Sequence, residues 1–228
     1  TAGSITSSVS ANTTAGFSVV TRTGTGANAS VGHGLGVAPS MIITKVYSTA
    51  GNDWMVYHKS LGATNYIKLN LIDGTFASSA IWNNTAPDSD KFYLGSSGDA
   101  NASGQTSVAY CFAEKKGFSK FGSYAGNGNA NGTFVYTGFK PAFVMIKVYS
   151  GATNAWFIFD NKRNTFNPER LVIFPDSSSA EVDYTSSLDF LSNGFKCRTT
   201  SSGQNFSGAN YIYMAFAENP LVGTNNIP

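Results

Sequence analysis

One phrase of the sequence occurs twice, and that repetition limits the fold more than any other feature. Pro39-Ser-Met-Ile-Ile-Thr-Lys45-Val-Tyr-Ser48, leading to Trp54-Met-Val-Tyr57, returns as Pro141-Ala-Phe-Val-Met-Ile-Lys147-Val-Tyr-Ser150 and Trp156-Phe-Ile-Phe159, at an offset of 102 residues. Other pairs follow in order. Gly16-Phe17-Ser18 answers Gly117-Phe118-Ser119, Gly24 and Gly26 answer Gly126 and Gly128, and Phe92 answers Phe195. Asn101 and Gly104 answer Asn205 and Gly208, and Phe112-Ala113-Glu114 answers Phe216-Ala217-Glu218. The offsets drift only from 101 to 104, so two copies of one architecture are expected. Each phrase reads as a strand opened by proline, which has no amide to give a ladder, then a short loop and a second strand opened by tryptophan.

Composition says what kind of architecture is repeated. Charged residues make up 12% of the chain, where a soluble domain averages about 25%, so Ser, Thr, Asn and Gly must carry solubility. Together with 14% aromatics and 24 glycines this favours strands and turns over helices. Turn signals every 8 to 12 residues and about seven strands in each hundred residues give the spacing of a sandwich. The expected fold is all-β, two tandem antiparallel β-sandwich units of jelly-roll or lectin-like type and about 100 residues each. Residues 1–15 are expected to be a linker or loose arm, 16–116 and 117–220 the two units, and 221–228 a C-terminal tail. Within the first unit, Ala80-Ile81-Trp82 reads as a short strand.

Several function classes are disfavoured. A net charge of +2 without any basic run gives no nucleic-acid footprint. No apolar run approaches the roughly 20 residues of a bilayer span, and no charged-then-apolar leader is present, so no membrane insertion is expected. Val31-Gly-His-Gly-Leu-Gly36 matches no phosphate-loop spacing. His33 and His58 lack counterparts in the second copy and are expected to be structural or surface residues, and no His/Cys ligand spacing exists for a metal. Cys111 and Cys197 are not duplicated, which points to two free buried thiols. Glu114 and Glu218 recur, but each ends a strand and could face the equally recurrent Lys45 or Lys147, a cross-strand charge pair that needs no catalysis. Ser96–Gly104 carries too few carboxylates for a calcium loop. Six Asn-x-Ser/Thr sequons are what a chain so rich in these residues yields by chance.

Candidate ligand contacts come from loops that differ between the copies: 60–65, 82–87 and 160–168. Trp82 has no duplicate and adjoins Asn83 and Asn84, which makes it the surface aromatic best suited to stack on a sugar, whereas the duplicated Trp54 and Trp156 are expected in the core. Asn65, Asn161, Arg163 and Asn164 complete the set of expected ligand contacts. No catalytic residue, metal ligand or cofactor is expected among them.

Thr14-Ala-Gly-Phe-Ser-Val-Val-Thr21, His33-Gly-Leu-Gly-Val-Ala-Pro39, Tyr57-His-Lys-Ser-Leu-Gly62, Trp82-Asn-Asn-Thr-Ala-Pro87, Tyr136-Thr-Gly-Phe-Lys-Pro141 and Ala215-Phe-Ala-Glu218, taken in order, resemble the tandem β-rich domains of tail-fibre and appendage proteins of tailed bacteriophages. The resemblance covers nearly the whole chain. It implies a non-enzymatic domain on the virion surface, a piece of a longer and trimeric protein, touching other virion proteins and a host cell-surface glycan or envelope protein. Two alternatives stand beside adhesion: a structural spacer or decoration domain without a ligand, and a glycan-cleaving enzyme with carboxylates meeting in a cleft.

Overall fold

The structure, a computed structural model, describes residues 2–220, so the expected tail at 221–228 lies outside the described residues. Period-two alternation forms the strands: in 17–23 it buries Ser18, Val20 and Arg22 on one face, and in 106–112 it buries Ser107, Ala109 and Cys111. The chain divides into two compact units, the first gathering residues up to Asn70 with Thr75–Glu114, the second gathering Leu71–Gly74 with the residues from Lys115 onward.

Unit 1 runs β1 (Ser7–Asn12), β2 (Phe17–Thr23), β3 (Ala29–Gly32), β4 (Met41–Val46), β5 (Met55–His58), β6 (Asn65–Lys68) and β7 (Phe76–Ala77). It continues through α1 (Ser79–Trp82), β8 (Lys91–Leu94), α2 (Gly98–Asn101) and β9 (Thr106–Phe112). Seven strands form one antiparallel sheet in the order β1-β2-β9-β4-β5-β6-β7, and β3 pairs with β8 as a second layer. Val20, Ile42, Tyr57 and Ala109 of the first layer share one buried cluster with Val31, Phe92, Ile81 and Trp82 of the second.

Unit 2 runs β10 (Ser119–Ala125), β11 (Phe134–Tyr136), β12 (Pro141–Ser150), β13 (Trp156–Asp160), β14 (Glu169–Val172), β15 (Val182–Leu191), β16 (Gly194–Cys197) and β17 (Asn210–Ala217). Two four-stranded sheets, β10-β17-β12-β13 and β11-β16-β15-β14, enclose a single core around Ile146, Phe157, Phe159, Leu188, Phe195 and Tyr213. The fold is all-β and sandwich-like. The twice-written phrase makes the same hairpin twice, Met41↔His58 to Thr44↔Met55 in one unit and Phe143↔Asp160 to Lys147↔Trp156 in the other. Strand order corresponds as well: β2-β9-β4-β5 and β10-β17-β12-β13 occupy equal places, as do β3-β8 and β11-β16.

Three expectations are corrected. Residues 7–12 are a strand of the main sheet, paired with β2 from Ser7↔Arg22 to Asn12↔Phe17, and Ile5 ahead of them is buried. Backbone groups make the ladder whatever the side chain, so a Ser/Thr-rich stretch completes a sheet edge that is offered to it. Glu114 pairs with Lys59 at 2.6 Å and Glu218 with Lys140 at 2.7 Å, not with Lys45 and Lys147. Those two lysines instead donate to the carbonyls of Asn52 and Asn154, each closing the loop of its own hairpin; Lys147 also donates to Ile72 O at 2.7 Å, and burial pulls its ammonium down to about 8. Finally, 79–82 is a helical turn rather than a strand. His33 and His58 are buried, and each ring Nδ1 accepts an amide two residues on, from Leu35 and Ser60 respectively; Cys111 and Cys197 are free and buried.

Candidate functional site

The loop between β13 and β14 is built by side chains that hold its own backbone. Asp160 Oδ1 accepts from the amides of Lys162 and Arg163, both at 3.0 Å, and its Oδ2 accepts from Arg163 Nε at 2.6 Å. Arg163 spends its remaining nitrogens on Ile158 O at 3.0 Å and Glu181 Oε2 at 2.9 Å. Asn164 Oδ1 accepts from the amides of Arg170 and Leu171 at 3.0 and 2.8 Å. Asn167 imitates a strand partner of β15, donating to Phe190 O at 2.9 Å and accepting from Phe190 N at 2.8 Å. With both ends of the loop tied down, Phe166 is thrust out at its tip, 84% exposed.

Beside Phe166 lies a cavity of about 270 Å³ whose polar lining comes from Lys140, Asn161, Lys162, Thr165, Asn167, Glu169 and Glu218, and a second hollow of about 320 Å³ shares Thr165, Phe166 and Asn167 with it. Lys140 and Glu218 face each other as an ion pair, and Asn161 Nδ2 donates to Glu218 Oε1 at 2.8 Å. The Lys140 ammonium holds the Glu218 carboxyl below its usual range. Glu169, the first residue of β14, is 3% exposed, and its Oε2 and the Asn161 Oδ1 are both buried without a hydrogen-bond partner. Burial, and after it the charge of Asp160, pushes the Glu169 carboxyl up to about 7. An exposed aromatic face beside a fixed amide, an ammonium, a hydroxyl and two carboxyls can hold a polyhydroxylated ligand by stacking and by hydrogen bonds.

Of the residues expected from sequence, Asn161 lines this cavity and Asn164 lines the second hollow while also holding the loop backbone, and Arg163 serves as scaffolding for the loop. The others belong to unit 1. Trp82 is not a surface aromatic: it is 1% exposed and packs edge-on against Tyr57 at 5.9 Å, because the helical turn that carries it faces the core. Asn83 is the left-handed C-cap of that turn at φ 49°, Asn84 shares the value and is exposed, and Asn65 Nδ2 donates to Leu61 O at 2.9 Å. Sequence reasoning missed Lys140, Phe166, Asn167, Glu169 and Glu218. An aromatic inside the most polar loop of the chain was the readable signal for Phe166. Among the described residues no cluster of three His, Cys, Asp or Glu side chains could hold a metal ion, and no helix is long and apolar enough to cross a membrane.

The fold and this site define an all-β protein with a polar, aromatic-flanked cavity on its second unit. The chain belongs to the family described as Domain of unknown function (DUF7483), whose model matches residues 1–220. No curated protein and no solved structure matches it.

Proposed function

We propose that the chain is a non-enzymatic adhesion domain of a tail-fibre-type virion appendage, and that the cavity beside Phe166 on unit 2 holds a glycan of the host surface. The observation that carries this reading is Phe166 itself, an apolar ring left 84% exposed on a loop whose backbone is fixed on both sides of it and whose neighbours Thr165 and Asn167 line two hollows. Its place beside two hollows, not exposure alone, is what suits the ring to stack on a ligand seated in them. The resemblance to phage appendage domains supplies the setting, exposed to the medium on the particle and in contact with other virion proteins. Glu169 and Glu218 both line the cavity, so the glycan-cleaving alternative keeps its pair of carboxyls, and the state of the glycan after contact with the chain decides between the two readings.

The test is retention on a glycan array and on immobilised host envelope, with Phe166→Ala beside the parent chain. Retention of the parent, weakened about tenfold or more in the variant at an unchanged melting temperature, is the expected result, tenfold being about 1.4 kcal/mol of lost contact. Retention on neither surface would sink adhesion and leave a spacer. Shortened glycan chains in the eluate would sink the non-enzymatic reading.

A further inference from the structure

In unit 1, β3 is covered on both sides. One side pairs with β8, and the other is closed by the arm: Gly3 and Ile5 bridge to Val31, Ile5 N donates to Ser30 O at 3.0 Å, and Ser4 and Ser30 exchange bonds through their hydroxyls at 3.0 and 2.9 Å. β11 holds the same place in unit 2. It pairs with β16 as β3 pairs with β8, and Val135 faces Phe195 as Val31 faces Phe92. Among the described residues no arm reaches it: the chain enters unit 2 through a turn in which the amides of Phe118 and Ser119 both donate to Lys115 O, and β10 begins at once. Among the described residues β11 ends its sheet with nothing paired on the far side.

Register shows which groups that edge presents. Cys197 N donates to Thr133 O and Thr137 N to Asn193 O, so residues 133, 135 and 137 bond toward β16. In an antiparallel ladder the alternate residues turn their amide and carbonyl the other way, which sets those of Phe134 and Tyr136 on the open side. Exposed edges are normally blunted by shortness, lysine, proline or a bulge. β11 is short, three residues, but Phe134-Val135-Tyr136 carries no lysine, proline or bulge, and its two aromatic rings are 44% and 64% exposed while Val135 is in the core.

We propose that β11 is a docking edge for a second copy of this chain, joined antiparallel about a two-fold axis through Val135. The strand is self-complementary in that register. Phe134 of each copy lies opposite Tyr136 of the other, each such pair exchanges two backbone hydrogen bonds, and the two rings meet on the outer face. The four-stranded sheet of unit 2 continues into its mate, and the interface closes on itself because the same patch serves both copies. The inference stands apart from the adhesion reading, since none of these three residues lines the cavity.

Sedimentation equilibrium of the full chain from low to high concentration tests it, with Tyr136→Pro beside the parent. Proline at this position removes an amide that bonds across the edge and leaves the ladder to β16 intact. The expected result is a parent mass that rises from one copy toward two with concentration, and a variant that stays at one copy with the parent's melting temperature. A parent that is monomeric throughout, or a dimer indifferent to the substitution, would overturn the proposal. Should the variant fold poorly, hydrogen exchange on the parent decides: the amides of Phe134 and Tyr136 gain protection as concentration rises while that of Val135 is protected throughout, and edge amides that exchange at one rate at every concentration would overturn it.

Discussion

Asn101 and Asn205 make the same connections in the two units. Each is fully buried; Oδ1 accepts the amide of Thr25 or Asn127 at 3.0 Å, and Nδ2 donates to Ala27 O and Gly95 O, or to Asn129 O and Thr199 O, at 2.7 to 3.0 Å. The recurrent glycines belong to the same device, since a Cβ on Gly24 or Gly126 would meet a carbonyl oxygen at 2.2 Å. Nearby, the copies solve one problem with different chemistry: Arg22 Nη2 donates to Ala100 O at 2.8 Å where the Tyr124 hydroxyl donates to Gln204 O at 2.7 Å. Asn205→Ala strands several buried groups at once and is expected to cost about 2–4 kcal/mol, read by urea denaturation. A loss within the ±0.5 kcal/mol of an ordinary surface change would deny the asparagine this role. Glu169 sets a pH dependence. Its folded value is raised from 4.5 to about 7, so the folded state binds the proton more tightly than the unfolded chain does. The stability it contributes is therefore fully present below about pH 4.5 and is lost as pH rises through about 7. Glu169→Gln is expected to flatten the stability profile across that window and to gain about 1–3 kcal/mol at pH 8, once screening is allowed for. A parallel profile in the variant would place the titration elsewhere.

Elements differ most where the two copies diverge between their common strands. Unit 1 fills the place beside β8 with the helical turn α1, held by Gly95 N to Ile81 O and Ser97 N to Ala80 O, whereas unit 2 lays the ten-residue β15 beside β16. Trp82 has no duplicate for that reason: it plugs the core from a helix that the other unit lacks. Trp82→Ala is expected to cost about 3–5 kcal/mol by chemical denaturation, the loss of a large side chain from a packed core. A cost under about 1 kcal/mol would return the ring to the surface. What could be read in the sequence follows from the same contrast. The hairpins at Pro39 and Pro141 were legible because apolar runs, prolines and lysines recur together. α1 was not, since four residues are too few for a 3.6-residue period to show, although its caps were present in Ser78, which accepts from Ala80 N, and in left-handed Asn83. The first half of β15 was equally hidden, its Asp183 to Ser186 all exposed, with Tyr184 the one aromatic among them. At the site, the polarity of 160–168 marked the right loop and, in Asn161, one of its lining residues. Arg163 and Asn164 turned inward to hold the backbone, and Glu169 acquires its character from burial and from Asp160, which composition does not display.

Among the described residues each unit has its own buried cluster, and the residues lining the cavity beside Phe166 all belong to unit 2. A ligand held there draws on side chains that the core of unit 2 keeps in place: Asn161 at the end of the β12-β13 hairpin, Glu169 at the start of β14, and Asn167 bonded to β15. Stability and affinity should therefore separate by position. Trp82→Ala and Asn101→Ala, both in unit 1, are expected to lower the urea midpoint and yet leave affinity for a retained glycan within about twofold, because sites that share no partner add independently. Phe190→Ala, in the second unit, should lower both, for Phe190 sits in the core of unit 2 and also lines the cavity. Isothermal titration of the four chains at a temperature where all are folded gives the comparison. Affinity lost in parallel with stability across all three variants would mean that the ligand reads the integrity of the entire chain, and the cavity beside Phe166 would then have to be given up as its seat.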